Sequence, residues 1–174
     1  MPISDWHNLT DTTNEIIRIA PRSVLDLGIG FGLYGAICRE YLDGMHGRCR
    51  PDQWEIQIHG VEAHAAYHNP AWELYDAVTV APFADSYSGY DLVLMIDSLE
   101  HLEPEAGRAF LASLVAKNKH VIVSVPNGLM EQGAAFGNEF ERHRTTFNGS
   151  EFAPYQHTII HKSICIVASI KGTG

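Results

Sequence analysis

Cysteine is scarce in this chain: Cys38, Cys49 and Cys165 are the three among 174 residues. An odd number without metal-ligand spacing argues against a disulfide framework, and Cys38 and Cys165 sit in apolar segments where buried free thiols are common. A reducing cytoplasm is the expected compartment. Basic side chains are also few, 12 Lys and Arg against 21 Asp and Glu, for a net charge of −9. No stretch can track a phosphate backbone, so bulk binding of DNA or RNA is not expected, although a tRNA or nucleotide substrate stays compatible. No apolar run approaches the roughly 20 residues of a membrane span, and the N-terminus shows no basic region followed by an apolar core, so neither a membrane partner nor a secretory leader is expected. Repeats and low-complexity tracts are absent, and the ten histidines are scattered rather than gathered into a metal tract.

What is present is one domain's worth of chain, residues 1–174, long enough to bury its own core without staples. Its most informative run is SVLDLGIGFG, residues 23–32. Aliphatic and β-branched residues stop at Gly28, Gly30 and Gly32, the pattern of a buried strand breaking into a tight turn that feeds a helix. Glycine lets main chain bend at positive φ and lets a ligand approach it closely. Asp26 narrows the ligand. A carboxylate at the strand end repels a pyrophosphate and suits an ammonium group, which it can hold by a charge-assisted hydrogen bond.

DLGIGFG resembles the first motif of the class I S-adenosylmethionine-dependent methyltransferases, an acid, a spacer and then G-x-G-x-G. The resemblance runs from about Pro21 to Asn127 and implies S-adenosylmethionine as cofactor, with Asp26, Gly28, Gly30 and Gly32 at its site. A competing pattern exists, since Gly30, Gly32 and Gly35 satisfy G-x-G-x-x-G. It starts two residues late relative to the strand, and helix packing alone can explain a small residue at position 35.

Along the chain, Thr12-x-x-Glu15 reads as a capping box opening a short helix that Pro21 ends. A helix is expected over 33–42, a polar loop over 43–53, and strands over 54–62, 74–80, 90–96 and 120–125. Pro104 marks the first position of a helix carrying Phe110, Leu111, Leu114 and Val115 on its buried stripe. Residues 129–155 are loosely patterned, and 158–160 with 163–170 read as a final hairpin broken at His161-Lys162. The alternation predicts an α/β fold with a doubly wound, mostly parallel seven-stranded sheet, Rossmann-like, whose last strand is antiparallel as in the methyltransferase sheet.

Ligands of such sheets lie beyond the carboxyl ends of the strands, and each expected strand end carries an acid. Glu62 can accept from both hydroxyls of a ribose, the role the resemblance also implies, or it is a solvated terminus. Asp85, in APFAD, resembles the family's acid facing the adenine amino group, with Phe83 or Ala84 near the ring; it could equally cap a turn. Asp97, in IDSLEHL, resembles the family's fourth motif, which implies a place beside the transferring methyl group, where it could orient the acceptor or take its proton; otherwise it is a helix N-cap. His101 suits a general base by its ordinary pKa or merely supports the loop. GNEFERHRTTF, residues 137–147, resembles a segment of some bacterial class I methyltransferases. There His143 could serve as a base and Arg142 or Arg144 could hold an anion, or the whole is a charged loop. Glu100, His101 and His143 could gather around an ion, but they lack i, i+4 ligand spacing and a cysteine, so no metal is expected.

Three functions follow: methyl transfer to a small or conjugated acceptor, at oxygen in preference to nitrogen; a non-catalytic cofactor-binding subunit of the same fold; and an NAD-dependent oxidoreductase.

Overall fold

The computed structural model describes residues 5–84 and 86–174. Seven strands, β1 (Ser23–Leu27), β2 (Gln57–Glu62), β3 (Ala77–Val80), β4 (Leu92–Ile96), β5 (His120–Pro126), β6 (His157–Lys162) and β7 (Cys165–Lys171), form one sheet in the order β3-β2-β1-β4-β5-β7-β6. The first five are parallel, and β7 runs antiparallel to both β5 and β6. This is the expected doubly wound sheet. Both faces are covered, which is why β4 is buried along its whole length and reads as an uninterrupted aliphatic run. One face packs Leu25, Leu27, Val93, Met95 and Val123 against Phe110, Leu111 and Leu114 of α3 (Pro104–Lys117). The other packs Val24, Ile58, Leu92, Leu94 and Ile122 against Ile16 of α1 (Leu9–Ile19) and Tyr34 and Cys38 of α2 (Leu33–Cys38). Among the described residues no helix is long and apolar enough to cross a membrane.

The capping box at Thr12 is not formed. Helix α1 begins at Leu9, so Thr12 lies buried inside it and Glu15 bonds Arg18 and Ser169 instead of a backbone amide. The earlier start follows from tertiary bonds: the Asn8 side chain, at the N-cap, accepts from Tyr34 Oη and donates to Ser124 Oγ and Cys165 Sγ. Strands β2 and β3 each begin three residues later than their sequence pattern suggests. Trp54 is drawn off to lie under the Arg39 guanidinium, 3.8 Å from the ring centroid, and residues Pro70–Leu74 form a 3-10 turn that carries Trp72 into the core. The helix expected over 33–42 changes at Arg39 into a wider π turn, Arg39–Asp43. In the terminal hairpin His161 and Lys162 still pair with β7, and the break falls at Ser163 and Ile164.

Candidate cofactor and acceptor site

From β1 the chain moves to β2 and β3 on one side of the sheet and to β4 and β5 on the other, so the strand order reverses between β1 and β4. The carboxyl ends of these two strands open a crevice there. Into it runs the glycine turn, with φ of 79° at Gly28, 50° at Gly30 and 85° at Gly32. A Cβ at Gly28 would stand 2.9 Å from Ser98 Cβ, so glycine is required both by the dihedral and by the approach of the β4 end. Gly28 and Ile29 donate their amides to Val61 O at 2.9 and 3.2 Å, which holds the turn against β2.

Asp26 and Glu62 are both buried behind this turn. Burial pushes the Asp26 carboxyl up to about 7; the neighbouring Glu62 adds to the rise, and the hydrogen bond from Tyr75 Oη at 2.6 Å works against it. Glu62 accepts the Gly30 amide on Oε2 at 2.9 Å and the His64 amide on Oε1 at 2.8 Å. It is therefore a clamp between the glycine turn and the β2 end, not a solvated terminus, and each oxygen keeps a lone pair for a ligand. Gly35 is small for a packing reason: a Cβ there would fall 2.2 Å from the Tyr75 ring.

Two cavities meet at this crevice. The larger, about 860 Å³, is walled by Asp26, Gly28, Gly30, Asp97, His101 and His143 among others. The smaller, about 210 Å³, is walled by Gly28, Glu62, Phe83, Ser98, Asn138 and Phe140 among others. Phe83 is fixed by stacking on Phe110, with centroids 5.5 Å apart and planes 4° from parallel. Ala84 does not line the smaller cavity; its amide donates to Tyr87 Oη at 3.3 Å. Asp85 lies outside the described residues.

Asp97 borders both cavities. Its φ of 48° is uncommon for a residue with a Cβ, a kind of strain that collects at functional sites. Its carboxylate accepts from Ser124 Oγ at 2.5 Å and from the Asp5 amide at 2.9 Å, so it is held rigidly. Burial raises its pKa, opposed by those hydrogen bonds. The N-cap of the following 3-10 turn, Leu99–His101, is Ser98 rather than Asp97.

His101 and His143 come together, with ring centroids 5.1 Å apart. The meeting is built by backbone: the amides of Arg144 and Thr145 donate to Glu100 O at 2.9 and 3.2 Å, and Thr145 Oγ1 donates to Leu102 O at 2.7 Å. Phe147 anchors the same segment, buried with its Cζ 2.8 Å from where a Gly107 Cβ would be. Burial lowers the His101 pKa, so the ring is neutral near pH 7. Arg142 and Arg144 turn to Glu139 and Glu103 and do not line the larger cavity.

Three features escape the sequence reading. Tyr75 braces Asp26 and Gly35 together. Tyr67 Oη donates to Glu141 Oε1 at 2.8 Å and accepts from Asn138 Nδ2 at 3.1 Å, tying residues 138–141 across the site. The Asp5 amide reaches Asp97 from the N-terminal segment. Tyr67 closes the 3-10 turn Ala65–Tyr67 and Tyr75 follows the turn Pro70–Leu74, and neither these two positions nor the Asp5 contact has a local signature.

No known family pattern matches the chain, and no curated protein matches it in sequence. Solved structures do. The methyltransferase domain of bacterial CtHen1-CN is similar with a TM-score of 0.60 at 21% identity, over 95% of this chain and 97% of that one. The N-terminal domain of EvdMO1 with SAH bound is similar with a TM-score of 0.63 at 12% identity, over 93% of this chain and 80% of that one. A third, a putative O-methyltransferase from Nostoc punctiforme, gives 0.63 at 18% identity over 95% of this chain and 56% of its own. With its sheet order and antiparallel β7, the chain has the fold of the class I S-adenosylmethionine-dependent methyltransferases.

Proposed function

We propose that the protein binds S-adenosylmethionine and transfers its methyl group to an oxygen of a small or conjugated acceptor. The observation that carries this reading is the glycine turn of positive-φ residues set between two buried carboxylates, Asp26 and Glu62, at the switch point of the sheet. A dinucleotide would bring its pyrophosphate against that turn and next to Asp26, whereas the cofactor's ammonium is attracted to the same acid. Glu62 offers its free lone pairs to the ribose hydroxyls. Phe83, held by Phe110, forms an apolar wall for the adenine in the smaller cavity. Asp97, rigid and shared by both cavities, stands where donor and acceptor meet.

The acceptor enters the larger cavity. Its rim carries exposed Trp6, Phe136, Met130 and Ile164, which suits an acceptor with an apolar body. Transfer requires the acceptor O–H to lose its proton, the oxygen to attack the methyl carbon in line, and the carbon–sulfur bond to break with its electron pair left on sulfur. Holding the two reactants in that line is the largest contribution, up to about 7 to 11 kcal/mol of the barrier. His101 and His143 line the end of the cavity that takes the acceptor hydroxyl.

The test is conversion of S-adenosylmethionine to S-adenosylhomocysteine in the presence of cell extract. Turnover that is lost in Asp97→Ala supports the reading. Cofactor binding without turnover under any extract favours instead a non-catalytic cofactor-binding subunit.

A further inference from the structure

Glu100 is the least accounted-for side chain of the site. It is buried to 2% exposure on the 3-10 turn after β4, and its Oε2 has no hydrogen-bond partner. Buried polar atoms are nearly always paired, because an unpaired one forfeits its hydration without return. Protonation does not repair this, since an O–H there would still need an acceptor.

The two imidazoles beside it are oriented in a particular way. His101 Nδ1 lies 3.2 Å from Arg142 O, and His143 Nδ1 lies 2.7 Å from Met130 O. A carbonyl oxygen only accepts, so each Nδ1 carries the hydrogen and each Nε2 is left with a lone pair. A backbone carbonyl fixing one ring nitrogen so that the other can ligate is the usual support of a metal-bound histidine. One ligand atom from each of Glu100, His101 and His143 falls within 4.8 Å of the other two.

We propose that Glu100, His101 and His143 form a binding site for a divalent first-row transition ion at the acceptor end of the larger cavity. Two imidazoles with one carboxylate favour such an ion over magnesium or calcium, which prefer all-oxygen surroundings. Three protein ligands leave at least one position open, as in catalytic rather than structural sites. All three residues wall the larger cavity, so the open position faces it. The chain supplies this set from two segments, and the backbone bonds from Arg144 and Thr145 to Glu100 O close the distance that the sequence spacing does not. The ion's role rests on the methyl-transfer reading: a cation there lowers the pKa of an acceptor hydroxyl, so that its proton leaves to solvent and the oxygen attacks the methyl carbon. Under this assignment the imidazoles act as ligands and not as bases.

The experiment uses the chelator-treated full chain titrated with Co²⁺, followed by its visible absorption and by thermal unfolding. One saturable equivalent is expected, displaced by Zn²⁺ and raising the unfolding temperature. Glu100→Gln and His143→Ala should each weaken Co²⁺ binding at least tenfold, while His157→Ala, away from the cavity, should not. His143 is only partly buried, so its variant keeps the test open if Glu100→Gln does not fold. Absence of saturable binding, or binding unchanged in His143→Ala, overturns the proposal. S-adenosylmethionine binding to the same metal-free sample is measured separately: its loss would count against the cofactor reading and leave the cation site standing.

Discussion

The Gly30 amide donates to Glu62 Oε2 at 2.9 Å, so an acid at the end of β2 holds the shape of the turn that follows β1. The other oxygen takes the His64 amide, and both donors are main chain. Ligand recognition and turn geometry therefore depend on the same carboxylate.

Glu62→Gln tests that dependence with little change of shape. A glutamine amide has one oxygen and one NH₂, so one of the two backbone donors would face another donor, a mismatch that costs about 1 to 3 kcal/mol. Chemical unfolding should show a loss in that range, and calorimetry should show at least a tenfold weaker S-adenosylmethionine affinity. Unchanged stability would mean the clamp is not needed.

Gly28→Ala should act through backbone strain and contact together. The residue has φ of 79°, and the new Cβ would press on Ser98 Cβ at 2.9 Å. A left-handed conformation costs an L-residue about 1 to 2 kcal/mol before any contact is counted. The expected result is a lower unfolding midpoint and loss of cofactor binding, whereas Gly47→Ala, at an equally positive φ in open space, should lose stability alone.

Asp26 gives a pH dependence of defined sign. Its folded pKa of about 7 lies above its ordinary value of 3.8, so between those values the folded chain holds a proton that the unfolded chain has released. The Asp26 contribution to stability of the cofactor-free protein should fall as pH rises from about 4 to about 7 and level off above. Binding of an ammonium needs the carboxylate, so cofactor affinity should rise over the same window. Urea midpoints and calorimetry at pH 5, 6, 7 and 8 check both trends, and Asp26→Asn should flatten each.

Much of this was legible in the sequence, and the boundary is physical. The sheet could be read because strands buried on both faces must be aliphatic, as in β4, and because Gly28 to Gly32 can hardly serve any element but a turn. The places of Asp26, Glu62 and Asp97 were legible for the same reason, since a polar residue closing an apolar run marks where the sheet meets the crevice. The start of α1 was not, because it is set by Asn8 bonding to Tyr34, Ser124 and Cys165, partners remote in sequence. Nor could spacing reveal the meeting of His143 with His101, which main-chain bonds from Arg144 and Thr145 create.

Arg39 separates stability from function. Arg39 is 5% exposed and its guanidinium bonds Asp43 at 2.5 Å and Leu74 O, while Asp43 is fully buried and shared with Arg48 at 2.6 Å. Burial opposes the ionised Asp43, but the hydrogen bonds from Arg48, the Glu55 amide and Arg39 hold its pKa below the ordinary range. Arg39→Met leaves that charge partly unpaired and should cost about 3 kcal/mol in urea unfolding. Cofactor affinity, measured well below the unfolding midpoint, should stay within about twofold, because the ion pair lies outside both cavities of the site.

Titration calorimetry of the purified protein with S-adenosylmethionine, and in parallel with NAD, distinguishes the two cofactors at the glycine turn. Saturable one-to-one binding of S-adenosylmethionine that is lost in Gly28→Ala is expected, with no measurable binding of NAD. Tight NAD binding with no heat from S-adenosylmethionine would overturn the assignment of Asp26 and Glu62 to a methyl-donor site.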